Sequence, residues 1–188
     1  MRKLIVLCHL SLDGVAAIPS GALNWISYDE EMQTHVDPIV AATDTAIYGP
    51  KTFEIMKYWR TVSSDPKASQ HDLNHAKLIE DVEKIVFSHS EVNNDWNNTK
   101  VLQGDLKEEL LKLKELPGKN ITIFGSPKLA NAIIKLGLVD EFQLTVSPIV
   151  VGSGTQLFKD IPEFLKLKLV EEKTFKSSAM ALHYSLNS

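Results

Sequence analysis

The sequence predicts an α/β protein, with a mostly parallel central sheet, helices on both faces and an antiparallel hairpin at its C-terminal end. Three observations predict it. Short apolar, β-branched runs alternate with segments of helical spacing through most of the 188 residues. Two strand-to-helix junctions share one design, a glycine followed by proline in the first helical turn: Tyr48-Gly49-Pro50-Lys51 and Phe124-Gly125-Ser126-Pro127. After Met180 the pattern changes to apolar–polar alternation.

The elements follow in order. Leu4 to Leu10 is a continuous apolar run stopped by Asp13-Gly14, which reads as a buried strand. Its basic-then-apolar start resembles a signal peptide, but no small-residue cleavage pattern follows. Residues 14–27 carry Pro19, Gly21 and Asn24 and read as a long loop. Asp29 to Ala42 places Met32, Val36, Ile39 and Val40 at helical spacing, with Pro38 as an irregularity. Thr45 to Tyr48 is the second strand and Lys51 to Tyr58 a short helix. Residues 60–70 read as polar loop, Asp72 to Asp81 as a helix and Lys84 to Phe87 as the third strand. Asparagine-rich turns over 91–100 lead to a brief strand at Val101-Leu102. Gly104-Asp105 opens a helix that repeats leucine at 106, 110, 111 and 113 and ends at Pro117-Gly118. Asn120 to Phe124 is a buried strand, and the next helix carries Leu129, Ala130, Ile133 and Ile134 up to Gly137. Strands over Phe142 to Val146 and Ile149 to Val151 flank Pro148, a glycine loop covers 152–154, and Leu165 to Phe175 pairs with Met180 to Leu186.

Composition narrows the function. A single domain of this length buries roughly 70% of its unfolded surface and needs no disulfide. One cysteine, Cys8, excludes an internal disulfide framework and a multi-cysteine zinc site, and in an apolar strand it reads as a small buried hydrophobe. A net charge of −4 argues against broad nucleic-acid binding. No apolar run approaches the roughly 20 residues of a membrane span, so a cytoplasmic domain is expected.

Chemistry is expected where parallel strands stop. Glycine admits a ligand close to the backbone, and a helix N-terminus offers unpaired N–H groups to a phosphate. Lys51 and Thr52 add a cation and a hydroxyl at the first junction, and Ser126 and Lys128 do so at the second. Two such ends in one sheet suit the pyrophosphate of a dinucleotide, or are ordinary capped turns. Neither G-x-G-x-x-G nor G-x-x-x-x-G-K-[ST] is present. Ser88-His89-Ser90, at the third strand's end, could receive a ribose phosphate or be a polar loop. Asp13 and Trp25 could orient a polar heterocycle, or form an Asx-turn and a packing indole; Phe53 and Trp59 could wall the same cleft or belong to the core. His71 and His75 stand one helical turn apart, as a metal pair would. The glutamate of H-E-x-x-H is missing and no third ligand is evident, so an exposed polar helix start is preferred and no metal is assigned.

Together these blocks resemble the dihydrofolate reductase-like superfamily, most closely the reductase domain of bacterial riboflavin biosynthesis and its stand-alone relatives. The resemblance rests on Ser11-Leu12-Asp13-Gly14, Trp25, Gly49-Pro50-Lys51-Thr52-Phe53-Glu54, Ser88, Gly104-Asp105, Gly125-Ser126 with Leu129, Gly137 to Glu141 and Pro148 to Phe158. It covers nearly the whole chain as one domain over 1–188. It implies a three-layer sandwich and NADPH as hydride donor. Gly49, Lys51 and Thr52 would lie near the cofactor phosphates, and Ser88, His89 and Ser90 near its 2′-phosphate. Gly125, Ser126, Pro127, Lys128 and Leu129 would hold the pyrophosphate. Substrate would sit near Trp25, Phe53 and Trp59, with Asp13 or a water as proton source. The family commonly dimerises, so a homodimer is expected.

Two residues depart from the family pattern. Pro50 stands where the family has arginine, and Phe124 where riboflavin-pathway reductases often have glutamate. They motivate an alternative reading, a non-catalytic nucleotide-binding domain of the same fold. The single cysteine also leaves no zinc deaminase partner of the P-C-x-x-C kind.

Overall fold

The computed structural model describes residues 1–186. In chain order the elements are β1 (Leu4–Ser11), β2 (Val15–Ala17), α1 (Glu30–Ala41), β3 (Thr43–Tyr48), α2 (Pro50–Met56), α3 (Gln70–Asp81), β4 (Glu83–Phe87) and β5 (Thr99–Leu102). They continue as α4 (Leu106–Glu115), β6 (Asn120–Phe124), α5 (Pro127–Lys135), β7 (Glu141–Ser147), β8 (Thr155–Gln156), β9 (Leu167–Thr174) and β10 (Met180–Leu186).

The main sheet has eight strands in the order β5-β4-β3-β6-β1-β7-β10-β9. The first six run parallel, and β10 pairs antiparallel with both β7 and β9. All six parallel strands therefore end on one edge.

Alternation along β1 makes the layers. Leu4, Val6, Cys8 and Leu10 face Ile121, Ile123, Leu144 and the inner sides of α4 (Leu110, Leu113) and α5 (Ala130, Ile133, Ile134). Leu7 faces the other way, with Ala46, Tyr48 and Val86, onto Val36 and Val40 of α1, Phe53 of α2 and Ile79 of α3. A sheet apolar on both faces between two helical layers is the three-layer α/β sandwich that the strand–helix alternation predicts.

Several elements differ from the sequence reading. The 14–27 segment is not all loop, because β2 pairs antiparallel with β8 in a small second sheet. Ile149 to Val151 does not form a strand: β7 stops at Ser147, Pro148 has no N–H to donate, and the Val151 N–H turns to Asp13. The helix expected over Lys51 to Tyr58 ends at Met56 and passes into a 3₁₀ turn, Lys57–Arg60, and the 60–70 segment holds a second, Val62–Ser64. Helix α3 starts at Gln70 because Ser69 and Asp72 form a reciprocal capping box. Helix α1 runs through Pro38, and Asp29 caps it by accepting the Met32 N–H at 2.9 Å. The terminal alternation forms β9 and β10, but β9 is an edge strand that leaves Leu169 and Val170 about half exposed.

Candidate functional site

The site is built where β3 and β6, neighbours in the sheet, run out on the same edge. The two glycine–proline junctions interlock there. Ser126 Oγ accepts the Gly49 N–H at 2.9 Å and donates to the Phe124 carbonyl at 3.0 Å. A Cβ on Gly49 would lie 3.9 Å from Leu129 and Ser126; one on Gly125 would lie 3.7 Å from the Thr52 methyl. Each turn thus rests on the first turn of the other junction's helix.

Backbone geometry explains the residue choice at the second junction. Gly125 and Ser126 are consecutive left-handed residues, with φ of +52° and +49°. Glycine takes this conformation at no steric cost, and the serine is held in it by its two hydrogen bonds. The Gly125 N–H meanwhile reaches the Leu7 carbonyl of β1 at 2.8 Å.

The two junction helices differ from the other three in their caps. Asp29, Ser69 and Asp105 cap α1, α3 and α4 with side-chain oxygens. Helices α2 and α5 start with proline at N1 and have no side-chain cap. Their first-turn N–H groups, those of Lys51, Thr52, Lys128 and Leu129, keep the partial positive charge of a helix start, and the Lys51 and Lys128 side chains are exposed beside them. That donor set fits the phosphates of a dinucleotide.

One strand further along the edge, Ser88 ends β4. Its hydroxyl donates to the Ser90 carbonyl at 3.0 Å and accepts the Ser90 N–H at 3.2 Å. The turn leaves His89 and Ser90 exposed. Ser88, Gly49 and Gly125 thus end three adjacent strands, β4, β3 and β6, spaced about 4.8 Å apart.

The structure corrects four expected roles. Phe53 does not wall a cleft: it is wholly buried between Tyr48 and Trp96, because it is the inward position of a short helix lying on the sheet. Trp25 is buried as well, its indole N–H donating to the Ala22 carbonyl of its own loop at 3.1 Å. Trp59 is half-buried and leans on His75 of α3, with ring centroids 4.4 Å apart. Asp13 is a loop clamp rather than an acid. It accepts from Ser11 Oγ at 2.6 Å, Gly152 N at 2.8 Å and Val151 N at 3.2 Å. The Ser11 hydroxyl and then the Gly152 N–H hold its carboxyl down at about 2, so it carries no proton near neutrality.

A polar strip escaped the sequence reading. His9 and Ser11 of β1 stand in register with Thr145 and Ser147 of β7. His9 Nδ1 is hydrogen-bonded to Thr145 Oγ1, and its ring meets Tyr28 edge-on at 5.6 Å. The Ser147 hydroxyl accepts the Ser27 N–H at 3.0 Å, so the loop bearing Trp25 covers the strip. Burial drives the His9 imidazole down to about 4 and keeps it neutral. The signal available was the spacing Gln143-Thr145-Ser147, a polar face on a strand of the parallel part of the sheet.

The fold and the paired junctions define a class, three-layer α/β proteins with two proline-initiated helix starts at adjacent strand ends. The RibD C-terminal domain family matches residues 2–180, and the chain belongs to that family. Family membership points to an oxidoreductase. Among relatives, it is 33% identical over 187 residues to the uncharacterized protein YyaP of Bacillus subtilis, covering 99% of this chain and 96% of that one. It is 29% identical to the uncharacterized protein YwjB of the same organism, covering 97% of each. Solved structures share the fold. A putative riboflavin biosynthesis protein from Shewanella superposes with a TM-score of 0.73 at 20% identity, over 100% of both chains. A pyrimidine reductase-like protein from Corynebacterium diphtheriae gives 0.68 at 15%, over 100% of this chain and 92% of that one. A deaminase/reductase from Thermotoga maritima gives 0.67 at 17%, over 99% of this chain and 57% of its own. Among the described residues, no helix is long and apolar enough to cross a membrane.

Proposed function

We propose that the chain is an NADPH-dependent reductase of a small polar heterocycle of pteridine or aminopyrimidine type. The observation that carries this reading is the pair of uncapped, proline-initiated helix starts locked together through Gly49 and Ser126. When bound, the nicotinamide supplies the hydride. The protein binds and orients. The N–H groups of Lys51, Thr52, Lys128 and Leu129 receive pyrophosphate oxygens, and Pro127 sets the helix start. Ser126 acts by position, since its hydroxyl is spent on Gly49 and Phe124. Lys51 supplies the charge that arginine in place of Pro50 would have supplied, and Ser88, His89 and Ser90 face the 2′-phosphate. The neutral His9 and Thr145 offer hydrogen bonds to a heterocycle once the Trp25 loop opens. Asp13 is held ionised, which leaves water as the proton source.

Titration with NADPH, followed by energy transfer from Trp25, Trp59 and Trp96, tests the reading. Saturable binding below millimolar supports it, and none at millimolar sinks it. A second reading, a nucleotide-binding domain without turnover, draws on Pro50 and Phe124, which put apolar groups where the family places arginine and glutamate. Steady NADPH oxidation with a pteridine or aminopyrimidine would exclude that alternative. A homodimer is part of the proposal, supported by the exposed Leu169 and Val170 on the β9 edge and the fully exposed Phe164. Gel filtration at the monomer position would refute it.

A further inference from the structure

Helix α3 presents His71 and His75 one turn apart, and α1 brings a third group to them. Asp37 Oδ1 lies 2.8 Å from His75 Nδ1, and Oδ2 lies 3.3 Å from His71 Nδ1. One candidate donor atom from each of the three side chains falls within 4.8 Å of the others. Two ligands about 2.0–2.1 Å from a tetrahedral ion stand about 3.3 Å apart, so the three donors lie within the small rearrangement that an entering ion imposes.

The surroundings favour an ion over a simple ion pair. One carboxylate faces two imidazoles, each through the same ring nitrogen. The two rings stack at 6.3 Å and 26°. His75 is 4% exposed and is backed by the Trp59 ring, so its orientation is fixed by packing. His71 is less buried; its Nδ1 meets Asp37 and its Nε2 is enclosed without a hydrogen-bond partner. The neighbouring carboxylate of Asp72 is committed to Ser69 through the capping box and does not compete.

We propose that Asp37, His71 and His75 bind one divalent transition-metal ion of the zinc class, which clips α1 to α3. Two imidazoles and a carboxylate are a borderline donor set of the kind that selects zinc, cobalt or nickel over magnesium or calcium. The fourth position is left to water. No glutamate follows His71 to serve as a general base, so the ion's work is to fasten two helices of one layer and not to hydrolyse.

The test uses the full chain, freed of any tag and stripped with chelator, and Co²⁺ or Zn²⁺ alone as probe. The expected result is one ion per chain, visible Co²⁺ absorption bands of four-coordinate strength, and a thermal midpoint raised by roughly 5–10 °C at a hundredfold excess over the dissociation constant. His71→Ala, at the more exposed position, and Asp37→Asn, which keeps the side-chain volume and a hydrogen bond to His75, each abolish the bands and the shift. Absence of a stoichiometric ion, or equal binding by the parent and both variants, overturns the proposal and leaves an ion pair only. The NADPH titration on the same samples is independent, so loss of either activity is told apart from loss of the other.

Discussion

Replacing Ser126 by alanine probes the contact that joins the two junctions. Ser126 is 4% exposed; its hydroxyl accepts the Gly49 N–H at 2.9 Å and donates to Phe124 O at 3.0 Å. Alanine leaves the carbonyl of buried Phe124 short of a partner, while the half-buried Gly49 amide can turn to water. An unsatisfied buried group costs about 1–3 kcal/mol. For a domain of 150–250 residues each kcal/mol moves the midpoint by about 2–4 °C, so a fall of roughly 2–12 °C is expected by differential scanning calorimetry. Ser126→Gly separates the two roles of this residue. It loses the same hydrogen bonds but relieves the left-handed backbone at φ +49°, which costs a side-chain-bearing residue roughly 1–2 kcal/mol. The glycine variant is therefore expected to melt above the alanine variant. NADPH affinity should fall in both, because Gly49 and α2 lose their registration on α5. An alanine variant with parental midpoint and parental NADPH affinity would refute the claim that the two turns act as one cradle.

Three other outcomes follow from the geometry. Gly154→Ala places a Cβ 2.3 Å from the Ala17 carbonyl oxygen, at φ +147°, so β2 and β8 must separate; thermal unfolding should show a loss of about 1–3 kcal/mol. His9 has a folded pKa pushed down to about 4 from 6.5, so the unfolded chain takes up its proton first. Its contribution is complete above about 6.5 and is lost as pH falls toward 4, by about 3 kcal/mol, and His9→Gln should flatten that part of a denaturant-midpoint titration. Asp13 has a folded pKa held at about 2 against 3.8, so its contribution is present above about 4 and lost between 4 and 2. Asp13→Asn should weaken that acid dependence while leaving the pH profile of reductase turnover near neutrality in place; a shifted profile would restore Asp13 as the proton donor.

The layer order and each junction are legible in the sequence because their signals are local. Gly49-Pro50 and Gly125-Ser126-Pro127 each announce a strand ending and a helix beginning within four residues. That the two junctions touch was not legible, since it depends on β6 inserting beside β3 rather than beside β5. The aromatic assignments failed for the same reason. Phe53 and Trp59 sit a few residues apart on one continuous turn of chain, yet one is core and the other packs on α3, and only the lie of α2 on the sheet decides which. The His71/His75 spacing was plain, but Asp37 belongs to a different helix, and a spacing rule within one helix cannot reach it. Asp13 looks like an acid from its place at a strand end; the hydroxyl of Ser11 beside it, and then the amides of the loop after β7, hold it ionised.

These corrections move the chemistry of the site. With Phe53 and Trp25 buried and Asp13 clamped, no acidic side chain identified at the parallel-strand edge stands free to donate a proton, and the groups the proposed function places nearest a substrate are the neutral His9 and the hydroxyls of Thr145 and Ser147. Those groups lie under the Trp25 loop, which is tied down by the Ser27 N–H to Ser147 and by Trp25 itself. A ligand reaching the strip must replace the Ser27–Ser147 hydrogen bond with one of its own. A flat heterocycle rich in N–H and C=O groups can do so, and an apolar one cannot, because it would leave Ser147, 1% exposed, without a partner. On the proposed function, selectivity for a polar heterocycle would therefore come from the strip and its cover, and the glycine cradle would be indifferent to what the cofactor reduces.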